Sequence, residues 1–165
     1  MADSNQETKQ SKATVEGFMT TGVHTVDLGT TVKAAIQLLL EKHISGCPIV
    51  NSSQTVVSVV SALDLMKFAA MGGLDKNLQT FLDKLVKPEK LITIQRNQKF
   101  ADAFKLFLTH KVGRVIVVDG NGRLLGLVTR SSMLKVFMEN VAKGQVLEPE
   151  KTPAAPGADE EKLPK

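Results

Sequence analysis

The chain has 165 residues, 42% hydrophobic and 23% charged, which is ordinary for a globular protein of one domain, or of two small ones sharing a core. Its net charge of +4 comes mostly from dispersed lysines, with four arginines (Arg96, Arg114, Arg123 and Arg130) and no basic run longer than two residues. That distribution argues against a nucleic-acid surface, which clusters Arg and Lys beside stacking aromatics. No apolar run approaches the ~18–20 residues that span a bilayer. The polar N-terminus, MADSNQETKQSKAT, lacks the apolar segment of a signal peptide. No membrane attachment and a cytoplasmic location are therefore expected. The single cysteine, Cys47, fits that compartment and reads as a buried structural thiol.

Residues 1–14 read as a disordered tail. After them the chain matches itself at a shift of 68 residues without a gap. Thr25 falls on Thr93, Ala35 on Ala103, Leu38 on Leu106, Val50 on Val118, Val60 on Val128 and Lys67 on Lys135. The first copy, residues 15–72, opens with a strand at VHTV (23–26). An amphipathic helix follows, with Val32, Ala35, Ile36, Leu39 and Leu40 at helical spacing and Thr30 or Thr31 as its cap. Next come an apolar strand at CPIV (47–50), a turn at NSSQ (51–54), a second strand at 55–60 and a helix from 62. Residues 73–87 read as a helical linker.

The second copy, residues 88–143, repeats the order. It has a strand at LITI (91–94), a helix with Phe100, Ala103, Phe104, Phe107 and Leu108 on its core face, and a strand at 115–119. A DGNG hairpin turn (119–122), a strand at 123–128 and a helix from 130 complete it. Residues 144–165 hold four of the six prolines and read as a disordered tail. The order β-α-β-β-α, twice, makes an α+β protein. A unit of ~60 residues buries too little surface alone, so the copies should pack as a pseudo-twofold pair with paired clefts.

The repeat, FMT at 18–20, SGCPIVN at 45–51 and VGRVIVVDGNGRLLGLVTRSSML at 112–134 together resemble the tandem cystathionine β-synthase (CBS) domain pair, or Bateman module. The resemblance covers roughly residues 15–140. It implies a protein with no catalysis of its own. Such pairs bind an adenosine-containing regulatory ligand (AMP, ADP, ATP or S-adenosylmethionine) between repeats. They regulate an attached domain or a partner, and they assemble as homodimeric discs of four repeats. With no effector domain in this sequence, an effector protein of unknown identity is expected.

The resemblance also implies site residues. Nucleotide-binding members carry G-h-x-T/S-x-x-D at the strand-to-helix joint, where the hydroxyl bonds ribose or phosphate and the carboxylate takes both ribose hydroxyls. The first copy keeps Ser61 and Asp64, with Ser58 in place of the glycine. The second keeps Gly126 and Thr129, with Ser132 in place of the acid. Composite clefts would set Ser61 and Asp64 against Thr93, Val112, Gly113 and Arg114. They would set Thr129 and Ser132 against Thr25, Ile44, Ser45 and Pro48. Arg114 is the expected phosphate ligand and Arg130 a weaker one. The Asp64 cleft is expected to bind and the Ser132 cleft to be weak or empty. The competing reading is a structural or interaction module whose clefts bind nothing.

His24, His43 and His110 lack zinc-helix spacing, and no nucleophile elbow, Walker loop or G-x-G-x-x-G occurs. No metal, no covalent cofactor and no enzymatic activity are expected.

Overall fold

The structure is a computed structural model and describes residues 14–87 and 91–144. The two expected tails lie outside these residues, apart from Thr14 and Gly144. The first repeat contains helix α1 (Val32–Glu41), the hairpin β1 (Gly46–Val50) and β2 (Val56–Ser61), and helix α2 (Ala62–Ala70). A 3-10 turn (Leu78–Phe81) and the one-turn helix α3 (Leu82–Leu85) follow. The second repeat contains β3 (Thr93–Gln95), α4 (Phe100–His110), the hairpin β4 (Arg114–Val118) and β5 (Leu124–Thr129), and α5 (Arg130–Ala142). The fold is α+β, with β1 and β2 antiparallel in one sheet and β3, β4 and β5 in the other.

The strand expected at 23–26 is reduced to one parallel bridge, Val26 to Ile49, whereas β3 runs for three residues beside β4. The cause is Pro48. Its counterpart Ile116 donates its N–H to the Ile92 carbonyl at 2.9 Å, and a proline has no N–H to give the equivalent His24. The first ladder therefore stops after Val26 N to Pro48 O and Val50 N to Val26 O.

The turns are built alike. Asn51 Oδ1 accepts the N–H groups of Ser53 and Thr55, as Asp119 Oδ1 accepts those of Asn121 and Arg123. Gln54 adopts the left-handed φ of 61° that Gly122 adopts at 75°. The two hairpin tips are tied together, Val56 N to Gly122 O at 3.1 Å and Leu124 N to Gln54 O at 3.1 Å.

Each repeat has its own core, closed by a segment from outside that repeat: the opening residues of the first repeat close the second, and residues between the repeats close the first. Val15, fully buried, packs with Ile94, Phe100, Val115, Val128 and Met133, and Thr20 bridges to Leu127. Leu78, Phe81 and Leu85 pack with Val32, Leu39, Val60, Leu65 and Phe68. A third cluster, Val50, Val56 and Ile116, joins the two hairpins. Phe100 is buried, and Phe104 and Phe107 pack against the same core, so the phenylalanine stripe of α4 is structural. Leu40 and Leu108 depart from the expected core faces. These equivalent residues are 69% and 58% exposed, at the edges of faces whose centres fill the core.

Phe81 stacks on Phe68 with ring centroids 4.1 Å apart and planes within 6°. Phe81→Ala should therefore cost about 3–5 kcal/mol in urea unfolding, although Phe81 lies outside both repeats. A cost below about 1 kcal/mol would show that residues 78–85 do not close the first core.

Candidate functional site

The two strand-to-helix joints are built from the same bonds. At the first, Ser61 caps α2. Its Oγ accepts the Asp64 N–H at 3.2 Å, while Asp64 Oδ2 accepts the Ser61 N–H at 3.0 Å and the Ser61 hydroxyl at 2.6 Å. At the second, Thr129 Oγ1 accepts the Ser132 N–H at 3.2 Å, and Ser132 Oγ lies 3.4 Å from the Thr129 N–H and 3.1 Å from its hydroxyl. Ser132 is thus a capping residue, 8% exposed and turned toward Thr129. Thr31 caps α1 by accepting the Ala34 N–H, whereas Thr30 bonds to Asp27.

The glycine of the motif has a mechanical reason in the second repeat. A Cβ on Gly126 would lie 2.7 Å from the Thr20 carbonyl oxygen, because the N-terminal segment crosses β5 there. In the first repeat Ser58 is tolerated: it is buried, and its hydroxyl donates to the Leu85 carbonyl.

The joints meet across the pseudo-twofold axis. Gly46 pairs with Ser61 and Arg114 with Thr129 in their hairpins, and Gly46 and Arg114 are equivalent positions. Arg114 reaches over the axis, donating Nη1–H to the Gly46 carbonyl and Nη2–H to Ser45 Oγ at 2.6 Å. A Cβ on Gly46 would fall 2.5 Å from the Val60 carbonyl oxygen and 2.9 Å from Arg114 Nη1, so the glycine makes room for the arginine. Burial holds the guanidinium below its ordinary pKa.

Beside Arg114 lies a cleft of 590 Å³. Of the residues expected from sequence, Ile44, Ser45, Gly113, Arg114, Thr129 and Arg130 line it. The expected partition between clefts changes here: Gly113 and Arg114, assigned opposite Ser61 and Asp64, are on the Thr129 cleft. Arg114 faces Thr129 because it is directly across the hairpin from it. Thr25, assigned to the Thr129 cleft, instead lines a separate opening of 480 Å³ with Asp27, Thr30, Asn51 and Gln54. Pro48 is fully buried in β1, Val112 packs on the second core, and Thr93 is exposed on β3. Sequence reasoning missed His24, Lys42, His43 and Gly46 on the cleft wall. The position of Lys42 and His43, just before Ile44 and Ser45, was the available signal.

Cys47, fully buried next to Gly46, is a structural thiol. Burial pushes its pKa from 9.0 to about 11, with Arg114 opposing the shift. Among the described residues no group of three His, Cys, Asp or Glu is placed to hold a metal, and no helix is long and apolar enough to cross a membrane.

A sequence model of the CBS domain matches residues 15–70 and again 86–139. The chain belongs to the CBS-domain family. It carries two copies, the tandem pair called a Bateman module. The chloroplastic CBS-domain protein CBSX2 of Arabidopsis thaliana is 29% identical over 158 residues, covering 79% of this chain and 66% of the relative. A Methanocaldococcus jannaschii protein is 32% identical over 115 residues, 70% of this chain and 36% of the relative. The chain thus spans between about a third and two-thirds of the length of these curated relatives. The crystal structure of CBSX2 in complex with AMP superposes with a TM-score of 0.62 at 32% identity, covering 76% of this chain and 96% of that one. A second CBSX2 structure gives a TM-score of 0.69 at 27% identity, covering 80% and 99%. The CBS pair seen here is therefore the fold of those proteins.

The Cys47 shift sets a pH dependence. The unfolded thiol ionises near 9.0 and the folded one near 11, so the folded chain keeps a proton that the unfolded chain releases. The associated stability is full below the unfolded value and is lost as pH rises from about 9 to about 11. Between about pH 8 and pH 10.5, the urea midpoint should fall more for the wild type than for Cys47→Ala. Parallel falls would contradict the assignment.

Proposed function

We propose that this CBS pair is a regulatory, non-catalytic protein that binds an adenosine-containing ligand (AMP, ADP, ATP or S-adenosylmethionine) between its repeats and passes its bound state to a partner protein. The observation that carries the reading is the hydroxyl–carboxylate pair Ser61–Asp64 at the β2–α2 joint. Its carboxylate is fixed by two bonds through Oδ2 before any ligand arrives. A fixed carboxylate at a helix start suits two ribose hydroxyls, since charge-assisted bonds are the strong ones and little ordering remains. The AMP complex of CBSX2 supports a nucleotide in this fold. The cytoplasm suits a chain whose one thiol is buried.

A homodimer is part of the reading. α2 and α5 expose Leu63 and Met66, and Leu134, Met138 and Val141, with Met66 and Leu134 at equivalent positions. Large apolar side chains exposed on equivalent helices suit burial against a second copy. Sedimentation should give a dimer that Met66→Glu with Leu134→Glu converts to monomer. A wild-type monomer at micromolar concentration would remove this part.

The competing module without ligand draws on Ser58 and Ser132, which stand where binding members have Gly and Asp. Calorimetry separates the two. AMP, ADP, ATP or S-adenosylmethionine should bind, and Asp64→Asn, which preserves an acceptor for the cap, should weaken binding about 10- to 100-fold. No heat and no melting shift with any of the four would favour the interaction module.

A further inference from the structure

The two clefts of this pair differ in charge. The Thr129 cleft is lined by Lys42, Arg114, Arg130, His24 and His43, and among the described residues no carboxylate lines it. Shifted by 68 residues, Arg114 becomes Gly46, Arg130 becomes Ala62, His24 becomes Ile92, and Lys42 and His43 become His110 and Lys111. Three permanent cations at this cleft, Lys42 from the first repeat and Arg114 and Arg130 from the second, thus correspond to one, Lys111, at the equivalent positions.

The partners of Arg114 are a hydroxyl and a carbonyl, so its charge is not neutralised by an acid among the described residues. The N-terminus of α5, a helix of 13 residues, opens at Thr129 and Arg130 on the same wall and adds its positive end. Ser132, where the other joint has the Asp64 carboxylate, supplies a single neutral hydroxyl and no charge. Among the described residues the cleft therefore offers three permanent cations to an anion and no charged acceptor to a ribose.

We propose that the Thr129 cleft is a second site, distinct from the adenosine site at Asp64, that recognises a di- or triphosphate chain by its charge and leaves sugar and base unread. The chain can belong to a nucleotide or to an inorganic polyphosphate. The site excludes cationic ligands such as a sulfonium. It does not rest on the adenosine reading, because its probe contains no adenosine.

The test is calorimetric titration of the full chain with sodium tripolyphosphate, pyrophosphate and orthophosphate. One tripolyphosphate should bind per chain, with affinity falling in that order and with rising salt. Lys42 and Arg130 are exposed and outside both cores, so the Lys42→Gln, Arg130→Gln double variant keeps the fold. It should lose about tenfold or more in affinity, as expected for two charge-assisted contacts. Adenosine should fail to displace tripolyphosphate, and ATP should compete at comparable concentration. No tripolyphosphate binding, unchanged binding in the double variant, or displacement by adenosine alone would each overturn the proposal. If ATP bound while tripolyphosphate could not compete with it, the nucleoside would be the recognised part, and the proposal would equally fail.

Discussion

The structure depends on an exchange. Neither repeat closes its own core: residues that open the first repeat seal the second, and residues between the repeats seal the first. A unit of ~60 residues has too much surface for its volume, and the exchange answers that without a large shared interior. It also explains why the direct seam between the hairpins is small, with Val50, Val56 and Ile116 at its centre. The halves are bound through swapped segments as much as through facing sheets, so neither half is complete when cut from the other. The clefts follow from this arrangement, because two units held around an axis leave openings on each side of it.

Near-symmetry places the joints, and departures from it give them different chemistry. Four pairs of equivalent positions carry most of the difference: Pro48 and Ile116, Gly46 and Arg114, Ser58 and Gly126, Asp64 and Ser132. Each has a local physical meaning. A missing N–H shortens a ladder. A missing side chain admits an arginine. A hydroxyl finds a carbonyl where the other copy needs open space, and a neutral cap replaces a charged one. Both joints keep their capping bonds despite these changes. The helix starts are therefore a structural requirement, on which binding chemistry is an addition.

Much of the fold was legible in the sequence. The 68-residue shift, the helical spacing of Val32, Ala35 and Leu39, and the Asp-Gly and Asn-Gly steps of the second turn give the order of elements directly. The strand expected at 23–26 was a misreading, although its signal was present: Pro48 stands where the ladder needs a donor. The cleft walls were harder. Side-chain direction across a hairpin depends on register, and counting outward from the 119–122 turn would have set Arg114 opposite Thr129 to within the one-residue bulge. The contact of Arg114 with Gly46 and Ser45 could not be read this way, because it depends on how closely the repeats approach. The outward turn of Leu40 and Leu108 was also invisible, because periodicity marks a face and not its width.

The tie between the hairpin tips has a mechanical consequence. Val56 and Leu124 bond across to Gly122 and Gln54 at one end of the strands, while Arg114 meets Gly46 and Ser45 at the other. Five-residue strands separate these ends by roughly 13 Å. The first connection is backbone to backbone; the second is the end of one flexible side chain. The hairpins are therefore joined by backbone at the tips and by a side chain at the other end, where the N-terminal segment adds its own backbone tie, Thr20 to Leu127. The Thr129 cleft thus lies at the end where the direct tie between the hairpins is a side chain and not a backbone bond.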